Sequence, residues 1–333
     1  MPDVELSVVV PCFNEEESLA STHAHLTKIL GAITPSFEII FVNDGSTDKT
    51  GELVRALCAQ SPESKFLEFS RNFGQGAAIT AGLEFSRGAA VIVMDADLQD
   101  PPELIQQMLR LWRDGFDVVY ARRSSRKGES LLKKITAAAF YRILNRFAET
   151  DLPVDVGEFR LMDRSVVHAL LSLGERTRYM RGLVSWLGYR QTSIDYPRAP
   201  RTSGATKYSL TRMSRMAGDA LFSFSLVPLR AAIWAGSLAA TLAIIGIAYA
   251  LVLRLFTNIW LSGWTLLFIA IAFLGGVQLV FLGVVGEYIG RIFFEVKRRP
   301  LYIISDGGGF EPELATRICR RVGPVATSGS ADG

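Results

Sequence analysis

The sequence is poor in the residues that build metal fingers and disulfide scaffolds. Its three cysteines, Cys12, Cys58 and Cys319, are odd in number and far apart, which excludes a disulfide framework and a C-x-x-C zinc site. Three histidines, His23, His25 and His168, are too scattered for a His-built metal centre. Charge of one sign is lacking too: Lys and Arg exceed Asp and Glu by only 3, so charge gives no sign of a nucleic-acid partner. With 21% charged and 49% hydrophobic residues, the chain is neither disordered nor collagen-like. Residues 1–5 hold two acids and no apolar run, so no secretory signal is expected ahead of the first strand.

What the chain has in excess is apolar surface, with a mean hydropathy of +0.24. The excess sits near the C-terminal end. Residues 231–253 carry no charge, and after Arg254 a second uncharged run continues to Gly286, its core at 264–286. Each is long enough to cross about 30 Å of hydrocarbon at a helical rise of about 1.5 Å per residue. Polar residues at 257–258 and 262–263 predict a turn, hence a two-helix transmembrane hairpin. Lys207, Arg212, Arg215 and Arg230 precede the first run, and Arg291, Lys297, Arg298 and Arg299 follow the second, whereas the connection has only Arg254. By the positive-inside rule both chain ends belong in the cytoplasm. The expected division is a cytoplasmic catalytic domain at 1–208, an interfacial amphipathic helix at 209–227, two transmembrane helices within 228–290, and a cytoplasmic tail at 291–333. Residues 307–333, rich in Gly, Ser, Pro and Ala, are expected to be flexible and to carry no chemistry.

The first half alternates short Val/Ile-rich runs at 6–11, 37–43, 65–70, 89–95 and 117–121 with helical stretches at 15–30, 48–60, 76–86 and 102–112. That alternation predicts an α/β domain with a mostly parallel sheet and helices on both faces. Ligands of such sheets bind at the C-terminal strand ends. The segments there are PCFNEEE, NDGSTD, SRNFG and DADLQD, polar and acidic throughout. Asp95 and Asp97, at i and i+2 past a buried strand, can offer oxygens to one hard cation. The same stretch also reads as an acidic loop in which Asp100, before Pro101 and Pro102, caps the next helix. Gly74-Gln75-Gly76 opens a helix but lacks the third glycine of a dinucleotide fingerprint, Ile79 standing there.

Taken together, VVVPCFNEEESL, VNDGSTDKT, SRNFGQGAAITAGL, DADLQDPPE, GEFRLMDR and GATKYS resemble inverting family-2 glycosyltransferases of the GT-A fold. The closest resemblance is to the polyprenyl-phosphate glycosyltransferases, a group with the dolichyl-phosphate mannose synthases and the bacterial GtrB-type undecaprenyl-phosphate glucosyltransferases. The resemblance implies that Pro11, Asn14 and Glu15 line a nucleotide pocket, that Asp44 holds the base or ribose, and that Asp95 lies near ribose and sugar. It implies Mg²⁺ or Mn²⁺ at Asp97 and Gln99, with Asp95 close by, and a catalytic set of Asp95, Asp97, Glu158 and Arg160. Two positions depart from the family pattern: Cys12 stands where an aromatic residue is usual, and Glu158 where the GtrB-like branch has a shorter acid.

The implied reaction moves a hexose, with UDP-glucose as the expected donor, onto polyprenyl phosphate at the cytoplasmic face of the cell membrane. A phosphate monoester oxygen is already anionic and needs no strong general base; it needs cations to offset repulsion between two phosphorylated substrates. Arg122, Arg123 and Arg126, Arg160, and the lid pair Arg201 and Lys207 are the candidates. Stripes of apolar residues flanked by Lys and Arg at 131–147 and 210–224 suit an interface with anionic membrane lipids, or equally packing against the catalytic domain. GDP-mannose, UDP-N-acetylhexosamine and UDP-4-amino-arabinose donors stay open, as do a catalytically silent membrane scaffold and assembly with further copies of the chain. No nucleic-acid partner is expected.

Overall fold

The computed structural model describes residues 4–124, 156–175, 178–197, 227–256, 263–311 and 314. They fall into two compact units, one holding the described residues up to Thr206 and from Pro300 onward, the other those between Lys207 and Arg299.

The first unit is an α/β layer structure. In chain order it contains β1 (Leu6–Cys12), α1 (Leu19–Ile33), β2 (Phe37–Asn43), α2 (Thr50–Gln60), β3 (Ser64–Phe69), α3 (Gln75–Phe85), β4 (Ala90–Val93), α4 (Leu104–Arg113), β5 (Val118–Ser124), β6 (Val156–Asp163), α5 (Arg164–Ser172), α6 (Met180–Trp186), β7 (Gln191–Pro197) and β8 (Ile304–Gly308). The second unit holds α7 (Val227–Phe256) and α8 (Trp264–Val296). The strands form one sheet in the order β7-β5-β6-β4-β1-β2-β3-β8.

The centre of the sheet is parallel, β4-β1-β2-β3, as the continuous apolar runs predict. Successive residues of β1 serve opposite faces. Val8 and Val10 join Leu19, Leu26 and Leu30 of α1 and Ile105, Met108 and Leu109 of α4 in one core. Val9 meets α3 on the other face, where a Cβ on Gly82 would lie 2.1 Å from Val9 Cγ1. Only glycine lets the helix approach so closely.

The sheet is mostly parallel, as expected, with β5 and β7 also parallel, but it includes antiparallel members. β6 runs antiparallel to both β4 and β5, and β8 antiparallel to β3. α1 starts at Leu19 rather than at residue 15, because Asn14 adopts φ 55° and Glu15 forms a turn with Ser18. α4 starts at Leu104 with Glu103 as its N-cap residue, so Asp100 does not cap it; Asp100 is buried and accepts the Tyr196 hydroxyl proton.

The segment after α8 also departs from expectation. Instead of trailing away, it enters the sheet. Ser70 N–H donates to Ile303 O at 3.0 Å and β8 pairs with β3. Tyr302 stacks on Phe69 with ring centroids 5.0 Å apart and planes 10° from parallel. Phe310 packs on Phe85 at 5.6 Å, and Glu311 pairs with Arg87. Gly307 and Gly308 thus belong to a strand, not to a flexible tail.

In the second unit, α7 and α8 are 30 and 33 residues long. Their apolar side chains are exposed, among them Trp234, Ile244, Leu279 and Phe294. Among the described residues one stretch, Phe273–Val296, is long and apolar enough to cross a membrane, with a mean hydropathy of 1.6; Ala231–Gly246 is a shorter apolar stretch.

Candidate active site

The loops after β1 and β2 are sewn together. Asn14 N–H donates to Ser46 Oγ at 3.0 Å, and Asn14 Oδ1 accepts Thr47 N–H at 2.9 Å. Glu15 N–H donates to Thr50 Oγ1 at 2.8 Å, while its carboxylate accepts the Ser18 hydroxyl. Pro11, in the last turn of β1's pairing with β2, is half-buried. Cys12 points into the core, where burial pushes its thiol well above the ordinary range. The aromatic surface at this strand end is Phe13, one residue on and 41% exposed. The position matters because only an exposed ring can stack on a base.

Asp44 is 3% exposed, and burial raises its pKa against two backbone donors that oppose the rise. Those donors are Phe73 N–H at 2.6 Å on Oδ1 and Gly74 N–H at 2.9 Å on Oδ2. Asp44 therefore fixes the β3–α3 loop. Gly45, at φ 64°, lies against the same loop: a Cβ there would come within 2.3 Å of Arg71 C, so no other residue fits.

Asp95 and Asp97 leave the end of β4, both half-buried. Gln75 Nε2 donates to Asp95 Oδ1 at 2.8 Å, tying the start of α3 to this loop. Gln99 N–H donates to Asp97 Oδ1 at 3.1 Å, Leu98 takes φ 53°, and the Gln99 side chain is buried. Asp95, Asp97 and Gln99 offer oxygen donors only, which suits Mg²⁺ or Mn²⁺ held by one or two carboxylates and completed by substrate phosphate and water. Among the described residues no three His, Cys, Asp or Glu side chains gather as a metal cage.

On the other side of β4, the antiparallel register Val93↔Arg160 carries Glu158 to the level of Asp95. Glu158 receives Arg160 Nη2 at 3.2 Å and Arg181 Nε at 2.8 Å. Arg160 is 4% exposed; burial pulls its pKa down, Glu158 opposes that, and Gly157 O accepts from it at 3.0 Å. Arg122 is exposed and grips Asp195 with two hydrogen bonds of 2.6 and 2.9 Å.

The fold thus brings Pro11, Asn14, Glu15, Asp44, Asp95, Asp97, Gln99, Glu158 and Arg160 to one end of the sheet. Arg126, Arg201 and Lys207 and the stretches 131–147 and 210–224 lie outside the described residues. Sequence reasoning missed Arg181, Gln75 and Phe13. Arg181 stands on α6 without a motif, whereas Phe13 and Gln75 lie within the PCFNEEE and SRNFGQG motifs, where exposure and a cross-loop contact, not residue type, mark them.

An α/β sheet whose strand ends carry an Asn/Asp pocket and a D-x-D turn defines the class: a glycosyltransferase with the GT-A fold. The model of glycosyl transferase family 2 matches residues 7–171. An uncharacterized glycosyltransferase of Synechocystis sp. is 46% identical, over 92% of this chain and 97% of that protein. The bactoprenol glucosyl transferase derived from the SfII prophage of Shigella flexneri is 40% identical, over 91% of this chain and 98% of that protein. Among solved structures, glucosyl-3-phosphoglycerate synthase of Mycobacterium tuberculosis shares 19% identity at a TM-score of 0.46, covering 66% of this chain and 78% of that one. The chain belongs to glycosyl transferase family 2 and is a glycosyltransferase.

Proposed function

We propose that the chain transfers glucose from UDP-glucose to a polyprenyl phosphate, with inversion, giving a β-linked lipid-phosphate sugar. The observation that carries this reading is the near end-to-end match to a bactoprenol glucosyl transferase, joined to a strand-end site with both carboxylates in place. Phe13, Asn14, Glu15 and Asp44 form the nucleotide side, with the Phe13 ring as a platform for the base. Asp95, Asp97 and Gln99 form the diphosphate side and would hold Mg²⁺ or Mn²⁺. When bound, the divalent ion supplies positive charge to the departing diphosphate.

In the reaction the bond from the sugar's C1 to the diphosphate oxygen breaks and UDP leaves with the electron pair. An oxygen of the lipid phosphate forms the new bond to C1 from the opposite face. The transition state resembles an oxocarbenium ion. No proton has to leave the nucleophile, so Glu158 is not a base in this scheme. It holds two guanidiniums at the level of Asp95, and the cluster keeps a net positive charge for the incoming phosphate. Arg201 and Lys207 would close over the diphosphate. α7 and α8 would cross the membrane as a hairpin with both chain ends cytoplasmic, keeping the catalytic unit at the face where the lipid phosphate emerges.

The test is transfer by full-length protein in detergent, with undecaprenyl phosphate, Mg²⁺ or Mn²⁺, and a panel of UDP-glucose, GDP-mannose and UDP-N-acetylglucosamine. A lipid-phosphate hexose formed only from UDP-glucose supports the reading. Transfer from another donor corrects the donor, and a lack of transfer from every donor overturns the proposal.

A further inference from the structure

We propose that Tyr302 is a positioning residue for the donor site, held in place by the chain that follows α8 and acting through an aromatic relay on the β3–α3 loop. This rests on the reading of Asp44 as part of the donor pocket. Tyr302 is 3% exposed and lies flat on Phe69, the last residue of β3. Phe69 meets Phe73 edge-on at 5.7 Å and 89°. The Phe73 N–H and its neighbour Gly74 N–H are the two donors that hold the buried Asp44 carboxylate. Arg71, its guanidinium carbon 4.0 Å from the Phe73 ring centroid, belongs to the same loop. Two residues link Tyr302 to Asp44: Tyr302 sets Phe69, Phe69 sets Phe73, and Phe73 presents its N–H.

The segment after α8 is anchored independently of the ring, since Ile303 O accepts from Ser70 N–H and β8 pairs with β3; the Tyr302 hydroxyl adds a bond to Glu84 on α3 that both Tyr302 variants below would lose. Tyr302 also lines a cavity of about 780 Å³ with Leu83, His168 and Arg178. A smaller side chain at 302 would therefore open onto existing space, and the lost ring contact would not be replaced by collapse.

Full-length Tyr302→Leu and Tyr302→Phe would be compared with wild type for donor KM, acceptor KM, kcat and melting temperature, with UDP affinity by calorimetry as a readout free of turnover. An aromatic pair is worth about a 2- to 12-fold effect. Tyr302→Leu should weaken UDP binding and raise donor KM by that factor while acceptor KM stays put. Tyr302→Phe, which keeps the ring, should restore donor KM. A Tyr302→Leu protein that melts earlier with unchanged donor KM and UDP affinity shows a merely structural role and overturns the inference. Should Tyr302→Leu not fold, Phe73→Leu breaks the relay at a half-buried loop residue; unchanged UDP affinity there overturns it equally. Failure of wild type to transfer any sugar falls on the proposed function, and the UDP-affinity comparison still decides the relay.

Discussion

Glu158→Gln is the sharpest perturbation of the site. The carboxylate is shared by two guanidiniums, Arg160 Nη2 at 3.2 Å and Arg181 Nε at 2.8 Å, and their side chains are 5% and 24% exposed. Glutamine keeps the shape but loses the charge, and its amide has only one acceptor oxygen for two donors. Breaking a buried pair by removing one partner costs about 3–5 kcal/mol. Arg160 retains the Gly157 carbonyl at 3.0 Å, which argues for the lower end, about 3 kcal/mol. At about 2–4 °C per kcal/mol for a unit of this size, the melting temperature should fall by roughly 6–12 °C. The double-mutant cycle with Arg181→Gln is more telling. In wild type Arg181→Gln removes an attraction and should destabilise. In the Glu158→Gln background it no longer breaks an ion pair with Glu158 and relieves repulsion between Arg160 and Arg181, so it should destabilise less than in wild type or even stabilise. Thermal unfolding of the four proteins in detergent, followed by circular dichroism, measures both. Equal effects of Arg181→Gln in the two backgrounds, or a Glu158→Gln melt within about 2 °C of wild type, would refute the shared-carboxylate account.

Three further outcomes are expected. Asp97→Ala should lower kcat/KM by roughly 100-fold or more and abolish saturable Mn²⁺ binding in the presence of UDP, with the melting temperature unchanged, since several kcal/mol of leaving-group stabilisation would go with the ion; retained Mn²⁺ binding would refute the assignment. For Asp163, burial alone would raise the pKa, but hydrogen bonds from Ser165 and the Trp112 indole hold it below the ordinary value. Its stabilisation is therefore present above the unfolded pKa of about 3.9 and lost as pH falls through the folded value, so Asp163→Ala should cost about 2 kcal/mol in denaturant melts at pH 7 and much less at the acid end. Truncation after residue 225 should leave β3 as a bare edge and give an aggregating domain, and adding residues 300–311 back through a linker should restore a monodisperse one by size-exclusion chromatography.

The five strands of the first half were legible because central parallel strands are apolar along their whole length, as in LSVVVPC and FEIIFVN. β8 was not, because ISDGG holds one apolar side chain and joins the sheet through its backbone. In the site, Asn14, Asp44, Asp95 and Asp97 were visible as polar residues directly after apolar strands. Their partners were harder to see. Arg181 reaches Glu158 from a different helix, and Gln75 reaches Asp95 across a loop. Such pairs are made by tertiary approach and leave no spacing in the sequence. Asp100 shows the opposite error: a local capping pattern lost to the long-range bond from Tyr196.

The position of β8 also sets an order on how the protein is made. β3 ends at Phe69 and its edge partner begins at Ile304, after both long apolar helices. At ribosomal speeds the interval is on the order of tens of seconds. During it the nascent sheet has an open edge, Phe69 lacks its stacking partner, and the helices are already leaving the ribosome. The sheet can be completed only after both helices have been synthesised, so a chain that stops short of Ile304 leaves β3 as an exposed strand for chaperones and proteases to find.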